Sequence, residues 1–519
     1  MRPVWTSKLL SVCSALVLTA CASGASPEVA PPPDPSLAVS AAESSIDSAG
    51  VHDHVAFLAS DELAGRDTPS PGLEAAAEYI ARRFESLGLE PAGDDGTWLQ
   101  RWPFVRASFN AADSRLGVDG RGGGASLAFG QQWFALPVAP ERERVEAGLV
   151  YGGDFGTEAY PADVEGRIVA VSSGPNLGME VFNEIRHATE AGAAGLLLIL
   201  DPAIPAQAIP TITGQVEGLP AQAIPVLGVT RAAAAELFAA GGVNIDSIAP
   251  ATAPEGGRKH AGALGFDLEV RIAMDRAEHH PPNVAALLRG SDPQLRDTYV
   301  AYTAHFDHVG IGSPNAEGDS IYNGADDDAS GTALVLAVAE AFAALPDAPR
   351  RSVLFLAVSG EEKGLLGARH WVDSPTVPIA GVVANINADM VGRNAPDTLI
   401  IIGGEYTSLG ALSERIAAER PEFGLVLAPD PDPSENAFFR SDHVAFVRKG
   451  IPAVFLTTWL HEDYHAPSDE VESIDADKLA RVSRLAFRLG WEVAQNPAPP
   501  SWNPGAWDEV SRILEESPF

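Results

Sequence analysis

From residue 283 onward, the chain alternates short apolar runs with segments of helical periodicity, and this alternation constrains the fold more than any other feature. Each run is apolar along almost its whole length, so a strand formed there is buried on both faces. Helices between such strands cover both faces of a sheet. The sequence therefore predicts an α/β fold with a mostly parallel central sheet and helices on both faces, with strands at 299–304, 353–358, 381–386, 398–402 and 453–456 and helices that include 330–345 and 409–418.

Residues 145–250 differ from the rest of the chain. Short β-rich runs alternate there with Ala-rich helical stretches, and the Gly/Pro-rich segment 249–257 closes the region. This pattern predicts a separate α/β module, with strands at 148–151, 167–172, 196–200 and 224–228 and helices at 185–194 and 232–240.

The N-terminus reads as an export signal. Arg2 and Lys8 precede an apolar run at 9–18 that is too short to span a bilayer, and small residues follow it. The sequence Leu-Thr-Ala-Cys ending at Cys21 resembles the bacterial lipobox, which implies lipidation of Cys21 and anchoring in the bacterial envelope at the outer membrane. The alternative is a plain signal peptide with a chance cysteine.

Charge and cysteine content limit the possible partners and metal sites. The chain has 70 Asp and Glu against 35 Lys and Arg, a formal net charge of -35, which disfavours nucleic acid as a partner. Most of this acidity is expected on a solvated surface. Cys13 and Cys21 are the only cysteines and both lie in the export segment, so a metal must be held by His, Asp and Glu.

Polar clusters follow the predicted strands of the central sheet, where open α/β sheets bind ligands. His305 and Asp307 lie two apart at the first strand end, so the Asp307 carboxylate is expected to accept the ring proton of His305. Three consecutive aspartates at 326–328 repel one another unless a cation is near, although one or two could cap the following helix. The remaining clusters are Glu361 with Glu362, Asp389, and His465 with Asp469 four positions on.

Two histidines and several carboxylates without thiolates form a donor set suited to zinc, with manganese or cobalt possible. Carboxylates outnumber histidines, so one acid would bridge, which favours two zinc ions per chain. A free glutamate would take the proton from a water molecule and pass it to the leaving amine.

These residues resemble the co-catalytic zinc peptidase family of bacterial leucyl-type aminopeptidases, glutamate carboxypeptidase and the glutaminyl cyclases. The matching segments follow in order: HVAFLASDELAGR from His54, His305-x-Asp307, GADDDASG, SGEEKGLLG, NADMVGR and YHAPSD. The resemblance implies that Asp327 bridges two zinc ions and precedes a cis peptide bond to Asp328. It further implies Glu361 as general base, Asp307 and Asp469 as orienting carboxylates, and as terminal zinc ligands His305, Glu362, Asp389 and His465.

The module at 145–250 is similar to the protease-associated domain in its segments 163–169, 191–195 and 224–226. The resulting division of the chain is a signal peptide at 1–20, a tether at 21–46, an N-terminal part of the peptidase domain at 47–137, a protease-associated domain at 138–258, a peptidase catalytic domain at 259–498 and a C-terminal extension at 499–519.

One position departs from the family. Relatives often carry a tyrosine just before Ser-Asp-His, where this chain has Phe438 and Phe439, so Tyr464 is a candidate for the oxyanion donor or for a pocket wall. Four other histidines near the motifs are expected to be structural or surface residues: His308, His370, His443 and His461.

The leading hypothesis is a zinc exopeptidase that removes N-terminal residues from peptides. A carboxypeptidase is a close alternative, in which Arg369, Arg393 or Arg440 would hold the substrate carboxylate. A single-zinc glutaminyl cyclase is a further alternative, which His305 disfavours, and a non-catalytic binding module is disfavoured by the complete ligand set.

Overall fold

The structure is a computed structural model that describes residues 35–118, 124–136, 143–156, 160–174, 180–202, 215–216, 223–253, 257–433 and 437–516. The predicted signal peptide, Cys13 and Cys21 lie outside these residues. Within the described ranges, no helix combines the length and the apolar character needed to cross a bilayer.

Helices and strands alternate along most of the described chain. The helices are α1 (Pro35–Ser45), α2 (Ser48–Leu58), α3 (Pro71–Ser86), α4 (Glu180–Glu190), α5 (Arg231–Ala240), α6 (Gly331–Ala343), α7 (Leu366–Asp373), α8 (Ser408–Glu419), α9 (His443–Val447), α10 (Ala476–Gln495) and α11 (Ala506–Glu516). The first strands are β1 (Glu90–Pro91), β2 (Leu99–Arg101), β3 (Phe104–Phe109), β4 (Arg115–Val118), β5 (Ala125–Leu127), β6 (Trp133–Ala135), β7 (Arg144–Asp154), β8 (Ile168–Ser172), β9 (Gly195–Ile199), β10 (Gln215–Val216) and β11 (Val226–Val229). The later strands are β12 (Ala261–Arg271), β13 (Met274–His279), β14 (Pro282–Leu288), β15 (Tyr299–His305), β16 (Gly310–Ile311), β17 (Ile321–Tyr322), β18 (Ser352–Val358), β19 (Val382–Ala388), β20 (Thr398–Ile402), β21 (Val426–Ala428) and β22 (Ala453–Thr457).

The larger sheet has its neighbours in the order β1-β14-β18-β15-β19-β22-β20-β21, with β2 also paired to β14. The four central strands β18, β15, β19 and β22 are mutually parallel, whereas β14 and β20 run antiparallel to their inner neighbours. The predicted α/β fold is confirmed, with the parallel arrangement restricted to the centre of the sheet.

Strand β18 shows why its sequence is almost entirely apolar. Its alternate residues Val353 and Phe355 pack with the helices α3, α6 and α10 on one face of the sheet. Leu354 and Leu356 pack with Trp371 of α7 on the other face, together with residues of α9. Both faces are covered, as the unbroken apolar run predicted.

A second sheet has eight strands in the order β5-β4-β12-β7-β8-β9-β11-β6. Its strands β7, β8, β9 and β11 are parallel, and the flanking strands are antiparallel. The sheet includes residues 115–118, 125–127, 133–135 and 261–271, which lie outside the limits 138–258 that the sequence suggested for the inserted module. Strands of three or four residues, such as β4, β5 and β6, are too short for a reliable period-two signal.

The chain leaves the larger sheet and returns to it along one antiparallel ribbon. Strand β3 pairs with β13, so that Phe104 lies opposite His279 and Phe109 lies opposite Met274. The inserted module therefore starts and ends on neighbouring strands.

The predicted tether at 21–46 is wrong for its last residues. Residues 35–45 form the helix α1, and Val39 and Ala42 are 3% and 4% exposed. These side chains and Ile46 belong to the core that contains α6 and α10. The tether was predicted from an Ala/Ser/Pro-rich composition, but alanine also favours a helix, and α1 contains three alanines.

Candidate metal centre

The polar clusters predicted at the strand ends come together at the carboxyl edge of the three neighbouring parallel strands β18, β15 and β19. His305 is the last residue of β15, and Asp389 follows β19 directly. Glu361 and Glu362 follow the turn at the end of β18, which passes through Gly360. The carboxyl ends of parallel strands meet at one edge, and this topology assembles the site.

Asp327 lies at the middle of the site. Its Oδ1 is 3.3 Å from His305 Nε2, and its Oδ2 is 3.1 Å from His465 Nε2. The peptide bond between Asp327 and Asp328 is cis, at the position that the family resemblance implies. The two carboxylate oxygens thus face two different histidines, which is the arrangement that a bridging ligand requires.

Two groups of potential ligand atoms share Asp327. In one group His305, Asp327 and Asp389 converge, with His305 Nε2 3.6 Å from Asp389 Oδ1. The second group contains His308, Asp327, Glu362 and His465. All five predicted ligands are therefore brought together, and the structure adds His308 to them.

His308 is a correction to the sequence analysis, which assigned it a structural or surface role. Its ring is fully buried, and Nδ1 lies 2.8 Å from Glu362 Oε1 and 3.8 Å from Asp327 Oδ2. No spacing pattern pointed to His308, because strand β15 ends at His305 and the alternation of a strand does not extend past its end.

Orphaned polar atoms test whether these residues fit a metal ion. Among the described residues, the buried atoms His308 Nδ1 and Nε2, Glu362 Oε1 and His465 Nε2 make no hydrogen bond. Buried polar groups are normally hydrogen-bonded, so atoms that converge without a hydrogen bond call for a further ligand. Imidazole and carboxylate groups are the donors that zinc takes in sites without cysteine. The residues fit such an ion.

The adjacent residues Glu361 and Glu362 have opposite electrostatic environments. Burial and the neighbouring carboxylates raise the pKa of Glu361 well above its usual range. For Glu362, burial acts in the same direction, but His308 and His465 outweigh it and hold the pKa below its usual range. Two carboxyls whose pKa values are pushed apart are typical of a division between proton transfer and charge binding.

Asp389 is held by a buried chain of hydrogen bonds. Ser441 Oγ donates to Asp389 Oδ2 at 2.7 Å and accepts from Asn387 Nδ2 at 2.7 Å. Thr303 Oγ1 donates to Asn387 Oδ1 at 2.6 Å and accepts from Asn385 Nδ2 at 2.9 Å. Such outer contacts fix the orientation of a ligating carboxylate.

Asp307 contacts His305 differently from the prediction. His305 Nδ1 lies 3.1 Å from the main-chain carbonyl oxygen of Asp307, whereas the Asp307 carboxylate is 3.8 Å away. The carboxylate instead accepts from Thr68 Oγ1 at 3.0 Å and from the Glu361 N–H at 3.3 Å. The chain turns after β15, so the carbonyl rather than the side chain faces the ring.

Asp469 also acts on a different partner from the predicted one. Its carboxylate accepts from the main-chain N–H groups of Asp326 and Asp327, each at 3.1 Å. Asp469 therefore holds the loop that carries Asp327, rather than the ring of His465. The sequence analysis paired Asp469 with His465 because the two lie four positions apart, but the turns after His465 direct the carboxylate to the loop of Asp327.

A pocket opens beside the two groups. Glu361, His305, Asp327 and Asp389 line its floor, and its walls are mostly apolar, formed by Met390, Ala437, Phe455, Thr457, Trp459, Leu460, Tyr464 and Arg440. Tyr464 stacks on His465 with ring centroids 4.0 Å apart. The predicted pocket role of Tyr464 agrees with this position.

The three candidate arginines have separate positions. Arg440 lines the pocket, with its guanidinium 6.0 Å from the centre of the Tyr464 ring. Arg393 contacts Asp463 at 2.5 Å and Ser473 at 2.7 Å. Arg369 is exposed on α7 and does not line the pocket.

Sequence comparison adds a family to this geometry. Residues 283–490 match peptidase family M28, and they contain every residue of the two converging groups. The segment that carries the site is thus similar to peptidase family M28. Residues 143–237 match the PA domain, which lies within the second sheet and its helices. The resemblance drawn from the motifs is confirmed for both matched segments.

Relatives of this chain include Aminopeptidase YwaD of Bacillus subtilis, 24% identical over 364 residues that cover 68% of this chain and 67% of that protein. A Pyrenophora tritici-repentis protein named "Probable zinc metalloprotease" is 29% identical over 259 residues, 42% of this chain and 52% of its own length. This chain thus spans about half the length of the latter relative.

Solved structures support the fold. An aminopeptidase from Aneurinibacillus sp. strain AM-1 has a TM-score of 0.55 at 22% identity, covering 88% of this chain and 96% of its own. The zinc aminopeptidase BSAP from Bacillus subtilis has a TM-score of 0.50 at 19% identity, covering 87% and 96%. The likeness extends over both sheets of this chain.

Proposed function

We propose that this protein is a zinc-dependent aminopeptidase that hydrolyses N-terminal residues from peptides at a centre of two zinc ions. The observation that carries the proposal is the position of Asp327, whose two carboxylate oxygens face His305 and His465 in two groups of converging donors. The M28 match and the aminopeptidase named among the relatives support the same reaction class.

The residues divide into metal-holding and proton-transferring groups. His305 and Asp389 would hold one ion, Glu362 and His465 the other, with Asp327 between them and His308 as an additional donor to the second group. Bound zinc supplies Lewis acidity, which polarises the scissile carbonyl and lowers the pKa of the attacking water. Glu361 lines the same pocket but belongs to neither group.

Glu361 is therefore the base. Its carboxylate takes a proton from the attacking water and returns it to the leaving amine, so the peptide C–N bond breaks while a C–O bond forms. Ser441 keeps Asp389 in place during these steps, and Asp307 holds the main chain of Glu361. The apolar walls at Met390, Phe455 and Trp459 exclude water from the residue that is being released.

A carboxypeptidase is the second candidate, because Arg440 lies in the wall of the pocket and could bind a substrate carboxylate. Arg393 is engaged by Asp463 and Ser473, and Arg369 lies outside the pocket wall. Arg440 is thus the arginine of the three that would decide between the two reactions.

The test uses one peptide in four forms: free, N-acetylated, C-amidated and blocked at both ends, each incubated with zinc-loaded protein. An aminopeptidase cleaves the free and C-amidated peptides. Cleavage that survives acetylation and stops on amidation would replace the proposal by a carboxypeptidase. Release of ammonia from an N-terminal glutamine without hydrolysis would instead indicate a glutaminyl cyclase.

We further propose that the chain is exported and anchored by a lipid at Cys21 in the bacterial envelope, at the outer membrane. The lipobox-like sequence before Cys21 supports this location. Fractionation of cells tests it: the wild-type protein should sediment with the outer membrane, and Cys21→Ser should not. Equal sedimentation of the two proteins would refute the lipid anchor.

A further inference from the structure

Residues 65–68 lie more than 230 positions before the metal centre in sequence, yet they contact three of its loops. The segment belongs to the stretch HVAFLASDELAGR and its continuation, and it lies outside the residues 283–490 that match family M28. None of its side chains is among the converging donors described above. Its contacts therefore need a separate explanation.

Arg66 joins two of these loops. Its side chain is fully buried, with Nε donating to Phe306 O at 2.8 Å, Nη1 to Asn323 O at 2.7 Å and Nη2 to Gly324 O at 3.0 Å. A further hydrogen bond goes from Nη1 to Leu58 O. Phe306 follows His305, and Gly324 immediately precedes the loop of Asp327, so one guanidinium sets the distance between the main chains of these two loops.

The main chain of the segment contributes as well. The main-chain N–H of His308 donates to Arg66 O at 3.3 Å. This hydrogen bond fixes the main chain at His308, the second potential metal ligand on the loop that follows His305. Gly65 has φ +70°, and a Cβ atom there would lie 2.5 Å from Gly310 O and 2.6 Å from Tyr322 O. The segment approaches both loops too closely for any side chain at position 65.

Thr68 and Asp67 reach the third loop. Thr68 Oγ1 donates to Asp307 Oδ2 at 3.0 Å, and Asp307 Oδ1 accepts from the Glu361 N–H at 3.3 Å. Asp67 Oδ1 lies 2.9 Å from Lys363 Nζ, next to Glu362 in sequence. The loop that carries both glutamates is thus connected to the same four residues.

We propose that residues 65–68 form a clasp that sets the spacing of the metal-binding groups, with Arg66 and Thr68 as positioning residues. The clasp acts through the main chains of the loops and through the side chains of Asp307 and Lys363, and it touches no substrate. Its loss should lower zinc affinity and kcat while leaving KM unchanged. The inference rests on the proposed function only in taking the centre to bind zinc.

Thr68→Val is the informative variant, because Thr68 is fully buried and valine keeps its shape while removing the hydrogen bond to Asp307. Thr68→Ser keeps the hydroxyl. Thr407→Val is the matched control, since Thr407 is 1% exposed and its Oγ1 makes no hydrogen bond among the described residues. Zinc affinity is measured by competition with a chelator, together with kcat, KM and the Tm of the metal-free protein.

Loss of an outer contact to a metal site typically lowers metal affinity or activity by about 10- to 100-fold. We expect this loss of zinc affinity in Thr68→Val, recovery in Thr68→Ser, and wild-type affinity in Thr407→Val. A folded Thr68→Val protein with wild-type zinc affinity would overturn the clasp, as would an equal loss in Thr68→Ser.

If Thr68→Val does not fold, Lys363→Met replaces it, because this change removes the ion pair with Asp67 and keeps an unbranched side chain of similar length. Zinc affinity should fall in this variant, and an unchanged affinity would refute the clasp. Failure of the wild-type protein to bind zinc would refute the proposed function instead, so the two failures are distinguishable.

Discussion

The neighbouring glutamates Glu361 and Glu362 allow one substitution to separate proton transfer from metal binding. Glutamine has nearly the same shape as glutamate and cannot accept a proton from water. Glu361 lines the pocket outside both donor groups, whereas Glu362 lies among the donors with His308 and His465. The same change at the two positions should therefore affect different quantities.

For Glu361→Gln, we expect full zinc content and a loss of kcat. Removal of a general base typically lowers the rate about 10²- to 10⁴-fold. At about 1.4 kcal/mol for each factor of ten, this loss is about 3–5 kcal/mol of transition-state stabilisation. Burial already disfavours the charged form of Glu361, as its raised pKa indicates, so the neutral amide should not lower the Tm.

For Glu362→Gln, we expect weaker zinc binding at the second group. His308 and His465 hold the pKa of Glu362 below its usual range, so the fold favours the negatively charged form of the Glu362 side chain. Zinc content is measured by atomic absorption after gel filtration, and kcat with a C-amidated peptide at saturating zinc. Near-wild-type kcat in Glu361→Gln would refute its role as base, and zinc loss there with retention in Glu362→Gln would reverse the two assignments.

Three further predictions concern the metal, the turn before the glutamates and a buried histidine. Adding zinc to the chelator-treated protein should raise its Tm, since a ligand present at 1,000 times its Kd stabilises the folded state by about 4 kcal/mol; an unchanged Tm in calorimetry would contradict a metal centre. Gly360→Ala should lower the free energy of unfolding by about 1–2 kcal/mol and reduce kcat, because Gly360 has φ +75° and a Cβ atom there would lie 2.8 Å from the buried Trp102 ring. Urea unfolding and peptide assays measure the two effects, and wild-type values in both would show that the turn accommodates a Cβ atom. Burial lowers the pKa of His443 from 6.5 to about 3, so below pH 6.5 the unfolded state binds a proton that the folded state does not. The free energy of unfolding should therefore fall by about 5 kcal/mol by pH 3. His443→Gln should remove this part of the pH dependence in urea titrations of the metal-free protein, and parallel pH profiles of the two proteins would refute the prediction.

Much of the site could be predicted from the sequence because its residues follow recognisable strands. His305, Glu362 and Asp389 each lie at or just after an apolar run, and parallel strands bring such positions to one edge. Asp327 was identified among three identical neighbours only through the family resemblance. The position of its carboxylate between His305 and His465 agrees with that choice.

The missed features depend on turns and on contacts between distant segments. His308 enters the centre because the chain turns back after β15, and no periodicity reports a turn of this kind. Arg66 contacts Phe306 across 240 positions of sequence, so its role is visible only in three dimensions. The helix α1 was missed because an Ala-rich segment has no strong polar face to mark its amphipathic pattern.

The predicted boundaries of the inserted module differed from the second sheet for a similar reason. Strands β4, β5 and β6 gain their stability from pairing within that sheet and have at most four residues each. Sequences this short show no strand periodicity of their own. A division of the chain by local residue pattern therefore assigned these strands to the peptidase domain.

The pairing of β3 with β13 has a consequence for how this chain tolerates change. The two chain segments that connect the domains, β3 and β13, lie side by side. The module of more than 160 residues between them therefore has the topology of the loop of a single hairpin that extends from the larger sheet. Loop length adds little to the cost of closing such a connection. A short turn joining Phe109 to Met274 would therefore preserve the register of the ribbon, and the module can be exchanged, enlarged or lost in evolution while the metal-binding residues keep their geometry.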